Sequence, residues 1–251
     1  MNFNYIFDKN INLLEKIITK EYEKNKDNID TTYHYYQLDD FINHAKSGSI
    51  SRERALVIYS LLKKFKPKKI LEIGSFLGIS TKIINDTLEG KCKIVSVDPN
   101  VRHRIFDNPR KYFDLINKNC NNITKINKIF SNISLETGKW DYFNYEPKID
   151  KYKVKEILSN IGIIDYSFFF TEKFDCCFID GSHDYKSVIN NFIDSIKILH
   201  EGSIILFDDY NPLDWKETYD AINHIIKIGG NNIECVKRND IVLIKDKGFF
   251  E

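Results

Sequence analysis

Apolar and polar positions along this chain fall into two periods, short strand-like runs and longer helical faces. Ile70, Leu71 and Ile73 form a brief apolar run of the kind buried on both faces of a sheet. Gly74 and Gly78 follow it, then a helical face through Ile83, Ile84 and Leu88. Similar runs predict strands at 93–97, 124–130, 173–180 and 203–207. Helical spacing predicts helices at 49–64, 108–116, 184–199 and 215–228. The 49–64 helix takes Ser51 as its N-cap, with Arg54 on the first turn, and Pro67 stops it. The 184–199 helix carries Val188, Phe192, Ile196 and Leu199 on one face and ends with Gly202 as a left-handed cap. Two strands at 233–236 and 241–244, joined by KRND, close the chain as a hairpin.

Strands alternating with helices predict an α/β fold: a Rossmann-like doubly wound sheet, mostly parallel, with an antiparallel C-terminal hairpin strand. Residues 49–251 form this domain. Residues 1–48 form a helical, acceptor-side extension, with Ile11, Leu13, Leu14, Ile17 and Ile18 marking a helix outside the sheet. Tyr33, His34, Tyr35 and Tyr36 either line an acceptor pocket or pack as a surface loop. Residues 131–172 form an insertion between the third and fourth strands. Loops beyond about 12–15 residues are usually functional or disordered. Trp140, Tyr142, Phe143 and Tyr145 argue against disorder, so the segment reads as an elaborated crossover and a cover over the site.

Composition narrows the class of partner. The 37 basic and 36 acidic residues leave a net charge of +1, which gives no electrostatic footprint for nucleic acid or an anionic membrane. No stretch approaches the ~18 apolar residues of a membrane span, and the N-terminus lacks a signal-peptide pattern. The five cysteines have no metal-ligand spacing and read as free thiols in a reducing cytoplasm. The expected partner is a small molecule, and a homo-oligomer stays open.

The candidate chemistry sits at strand ends. The first strand and its loop read LEIGSFLGIST, with Gly-x-x-x-Gly spacing and an internal acid, Glu72. That spacing differs from the Gly-x-Gly-x-x-Gly of dinucleotide binders. The carboxylate suits a cationic ligand, which favours S-adenosylmethionine (SAM) over NAD. Asp98 ends the second strand 20 residues after Gly78, where a ribose diol would be held; otherwise it is a turn Asp before Pro99. Asp180 ends the fourth strand, and Asp208 and Asp209 end the fifth. Parallel neighbours share an edge, so the three carboxylates converge there, and like charges at close range resist joint ionisation. A divalent cation relieves this, and an all-oxygen set favours Mg²⁺. The alternative is that these aspartates cap the helices that follow. His183 lies three residues after Asp180, placed as a general base or as a helix-start residue bonded to Asp184.

The stretches LEIGSFLGIST, VSVDPN, FIDGSHDY and ILFDDYN resemble, in order, those of class I SAM-dependent methyltransferases. Within that class the chain is similar to the metal-dependent small-molecule O-methyltransferases, the group of catechol and macrolide-sugar enzymes. The resemblance implies that Glu72, Gly74, Ser75, Gly78 and Ser80 surround the methionine part of SAM. It implies that Asp98 holds the ribose, that Asp180, Asp208 and Asp209 bind Mg²⁺, and that Asp180 serves cofactor and catalysis as well. His183 falls where the sugar-modifying relatives carry histidine, which tilts the acceptor towards a sugar, a nucleotide sugar or another polar metabolite. A hydroxylase-like relative and a SAM-binding protein without catalysis are the rival readings.

Overall fold

The computed structural model of the 251-residue chain describes residues 1–26, 37–101, 105–131, 156, 159–165, 169 and 173–249. The aromatic stretch at Tyr33–Tyr36 and the cover residues Trp140, Tyr142, Phe143 and Tyr145 lie outside the described residues.

Three helices precede the sheet: α1 (Phe3–Asn25), α2 (Leu38–Ser47) and α3 (Arg52–Phe65). Strands and helices then alternate as β1 (Lys69–Ile73), α4 (Ile79–Thr87), β2 (Lys93–Val97), α5 (Pro109–Asn117) and β3 (Ile123–Ile126). Among the described residues they continue as β4 (Phe174–Ile179), α6 (Tyr185–Ile196), β5 (Leu199–Phe207), α7 (Lys216–Gly229), β6 (Ile233–Arg238) and β7 (Ile241–Asp246). The seven strands lie in the order β3-β2-β1-β4-β5-β7-β6. β1 to β5 are parallel, and β7 runs antiparallel to both β5 and β6. This is a Rossmann-like doubly wound fold with the expected antiparallel hairpin at its end.

The period of two along each strand sends neighbours to opposite faces, and both faces are covered. On one face Ile70, Ile94, Phe178 and Leu206 pack with apolar residues of α1, α3 and α4. On the other, Leu71, Ile73, Val97 and Ile205 pack against Val188 and Phe192 of α6 and Ile222 and Ile225 of α7. α1 joins the first core through Ile6, Leu14 and Ile18. A buried polar tie reinforces it, because Asn10 donates to Asp86 of α4 at 3.2 Å.

Three boundaries differ from the sequence reading. β3 ends at Ile126 rather than at 130. α6 stops at Ile196, and its C-cap is Lys197 in right-handed conformation. Gly202 is therefore no helix cap: it lies inside β5, which starts at Leu199 and shifts register against β4 between Phe174 and Cys176. Its φ of 79° serves that irregularity. The closing hairpin turns on two residues, Asn239 and Asp240, both with positive φ, as a tight turn between twisted antiparallel strands requires.

Candidate active site

The carboxyl ends of β1, β2, β4 and β5 open onto one cavity of about 540 Å³, within the range of small-molecule sites. All but two of the ten residues expected at the site line it; Glu72 and Gly78 do not. Glu72 is fully buried, and its carboxylate accepts from Ser80 Oγ at 2.7 Å and from Thr81 Oγ1. Burial pushes its pKa up, and the two hydroxyls partly oppose that. Glu72 thus fixes the start of α4 from beneath the cavity. Gly78 is the N-cap of α4, with φ 85°. A Cβ there would lie 2.4 Å from the Phe113 ring and 2.6 Å from Asn117 Nδ2, so its role is to let α5 close on the loop.

Gly74 and Asp98 shape the other side of the loop. A Cβ on Gly74 would stand 1.9 Å from the Asp180 carbonyl oxygen, so glycine is what lets β1 and β4 end side by side. Asp98 Oδ2 accepts from the Ser75 amide at 2.8 Å and the Phe76 amide at 3.0 Å. Its Oδ1 accepts from the Asn100 amide at 2.6 Å. The carboxylate therefore ties the glycine loop to the end of β2 while lining the cavity. Lys125, which the sequence reading passed over, donates to Ser75 Oγ at 2.5 Å from its place over the Phe113 ring. Phe76, Asn100 and Asp209 all take positive φ at this edge, a concentration of strained backbone typical of functional sites.

The acidic side is built on β4 and β5. Asp209 Oδ2 lies 2.7 Å from His183 Nε2, and its Oδ1 lies 2.5 Å from Arg54 Nη1. The same Arg54 nitrogen is 3.0 Å from Asp208 Oδ1, and Nη2 is 3.0 Å from Asp240 Oδ2 at the hairpin turn. The His183 ring rests on Trp215, with centroids 4.0 Å apart. Asp184 caps α6 through Ser187, so His183 faces Asp209 instead of bonding as a helix-start residue. Burial, with Asp208 and Asp209 beside it, drives the Asp180 pKa well up. Burial and Asp209 raise Asp208 to about 7, against the pull of Arg54. Burial works against the charge of Asp209 too, but His183 and Arg54 outweigh it and hold its carboxyl below the usual range. Arg54 stays charged for the converse reason: Asp208 and Asp209 overcome its own burial.

Arg54 is a second residue at the site that sequence reasoning missed. It was visible only as a base on a helix's first turn, and its partners lie 155 and 186 residues away. The group whose donor atoms stand close enough to share an ion is Asp180, His183 and Asp209, all within 4.8 Å of one another. The expected trio had Asp208 in place of His183; Asp208 Oδ1 instead accepts from the Asp209 amide and faces Arg54. Asp180 and Asp209 are the oxygen donors of that group, the donor type Mg²⁺ and Mn²⁺ take, whereas an imidazole is a donor for softer ions.

Known proteins resemble this chain in sequence and fold. The Acanthamoeba polyphaga mimivirus protein R132, itself uncharacterised, is 25% identical over 194 residues, 76% of this chain and 75% of its own. The Bacillus cereus O-methyltransferase solved in complex with SAH superposes with a TM-score of 0.51 at 13% identity, over 93% of this chain and 90% of that one. The SAH-bound Podospora anserina methyltransferase PaMTH1 gives 0.51 at 15% identity, over 92% and 87%. At these identities the two structures speak for the fold. The family model for a methyltransferase domain matches residues 71–210, which run from the first strand through the acidic cluster. That span is more than half of the chain and holds most of the cavity wall, and by it this chain belongs to the methyltransferase domain family.

Proposed function

We propose that this chain is an O-methyltransferase that moves the methyl group of SAM to a hydroxyl of a small polar acceptor, a sugar or similar metabolite, with a divalent cation at the acidic cluster. One observation carries the reading: a single cavity joins the glycine loop and Asp98 on one wall to Asp180, His183 and Asp209 on the other. The B. cereus and P. anserina structures, both with SAH, support the cofactor.

SAM supplies a methyl group activated on a sulfonium. The protein's own task is to align an acceptor oxygen and take its proton. The N-terminus of α4, which starts at Ile79, suits the carboxylate end of the cofactor. In this reading Asp98, which lines the cavity, holds its ribose. His183 has Nε2 against Asp209, and in this reading Nδ1 receives the acceptor proton while Asp209 stabilises the imidazolium that forms. Trp215 holds the ring in that pose. Asp180 and Asp209 would hold the cation with Asp208 beside them, and the cation would lower the pKa of the acceptor hydroxyl.

The test combines calorimetry with turnover. Wild type should bind SAM and SAH, and isotope-labelled SAM with a panel of sugars, nucleotide sugars and phenols should give a labelled product. EDTA should abolish that turnover and Mg²⁺ restore it. His183→Ala should lower kcat by about 10²–10⁴ with SAM affinity retained. Full activity in EDTA would sink the cation role alone, and normal turnover in His183→Ala would sink the base.

A further inference from the structure

We propose that Arg54 is a resident counter-cation of the acidic cluster: it pairs with Asp209 beside the position a divalent ion needs and thereby sets how tightly that ion binds. The inference rests on reading the cluster as an ion site.

The argument starts with the helix. Ser51 caps α3 by accepting from the Arg54 amide at 3.3 Å, which fixes the first turn. α3 packs alongside β7, so its first turn stands at the carboxyl end of β5 and next to the hairpin turn. From there one guanidinium nitrogen bridges two consecutive carboxylates, at 2.5 Å from Asp209 and 3.0 Å from Asp208. A side chain only 20% exposed is largely dry, so this pairing is less screened than a surface one.

Both oxygens of Asp209 are then engaged, Oδ1 by Arg54 and Oδ2 by the His183 imidazole. Each carboxylate oxygen keeps a second lone pair, so a divalent ion can still ligate Asp209, but only beside these partners. It must then sit within a few ångströms of a guanidinium that cannot deprotonate, and like charges at that range oppose each other strongly. Arg54 and the ion are therefore competitors for one carboxylate. Asp240 makes the exchange feasible. It lies at the hairpin turn, outside the donor group, and already pairs with Nη2 at 3.0 Å. A guanidinium displaced from Asp209 keeps that partner.

Two consequences follow for the chain. Arg54 keeps Asp208 and Asp209 compensated when no ion is bound, so the site does not collapse by mutual repulsion. It also weakens the ion, so occupancy responds to ion concentration instead of being permanent.

The experiment is calorimetric titration of Mn²⁺ into the full-length wild type, Arg54→Met and Arg54→Lys, without acceptor. Arg54→Met should bind Mn²⁺ at least about tenfold more tightly than wild type, a difference of about 1.4 kcal/mol. Arg54→Lys, which keeps the charge but loses the fork and some reach, should fall between. Mn²⁺ should also raise the melting temperature of Arg54→Met more than that of wild type. Equal or weaker binding in both variants, with wild type binding, overturns the role of Arg54 and leaves the ion site standing. No binding to any of the three overturns the ion site and this inference together. If Arg54→Met does not fold, Arg54→Lys against wild type decides: tighter binding supports the competition, and an unchanged constant refutes it.

Discussion

Replacing Gly74 by alanine should unseat the sheet edge on which both walls of the cavity stand. Gly74 sits at φ 83°, and an added Cβ would meet the Asp180 carbonyl oxygen at 1.9 Å, its carbon at 2.6 Å and Gly181 Cα at 2.9 Å. All three are backbone atoms, so no rotamer change relieves the overlap. The left-handed conformation alone costs an L-residue about 1–2 kcal/mol, and forced overpacking typically adds about 1–3 kcal/mol. A loss of about 2–5 kcal/mol is therefore expected, a large share of the stability of an ordinary domain. Gly202 is the control, with φ 79° and nothing within 4 Å of its added Cβ, so Gly202→Ala should show only the backbone part. Urea unfolding followed by circular dichroism, with extrapolation to water, measures both. SAM calorimetry should report a second effect, since the Gly74 amide donates to Val97 and the next two amides hold Asp98. Equal destabilisation by the two substitutions would refute the steric reasoning.

Three further outcomes are expected. Asp98→Ala should weaken SAM by more than about tenfold, because it removes a cavity carboxylate and frees the Ser75 and Phe76 amides; unchanged affinity would take Asp98 out of the cofactor site. Ser51→Ala should cost about 1 kcal/mol in a thermal or urea melt, the usual worth of an N-cap; an unchanged midpoint would show that tertiary packing alone holds the first turn of α3. Asp86→Asn should destabilise most at neutral pH, where Lys82, Asn10 and Lys9 hold the Asp86 pKa down against its burial. A depressed carboxyl stabilises above its unfolded pKa of about 3.9 and loses that contribution as pH falls through its folded value, so the gap between variant and wild type should narrow only in strong acid.

The local signals that placed the elements act over a few residues, and those were readable in the chain. Ser51 caps α3 and Asp184 caps α6 because a short oxygen-bearing side chain at a helix start satisfies an amide that otherwise has no partner. The apolar runs at 70–73, 93–97 and 174–179 became central parallel strands because burial on both faces demands them. The shared edge of such strands brought Asp98, Asp180, Asp208 and Asp209 to one cavity without any need to know side-chain positions.

What the tertiary structure decided are the properties that depend on partners distant in sequence. Gly202 looked like a helix cap, yet the pairing of β4 with β5 drew Leu199 into a strand and made the glycine part of a register shift. The sequence showed Glu72 only as an acid inside a strand end, and the packing of α4 is what brings Ser80 and Thr81 onto its carboxylate. Carboxylates crowding an edge demanded a cation, and charge counting alone could not say which. The fold answers in part with Arg54, because α3 carries a guanidinium across 155 residues of chain to Asp209. No pattern within α3 encodes that contact; it exists only once β5, β7 and α3 are docked together.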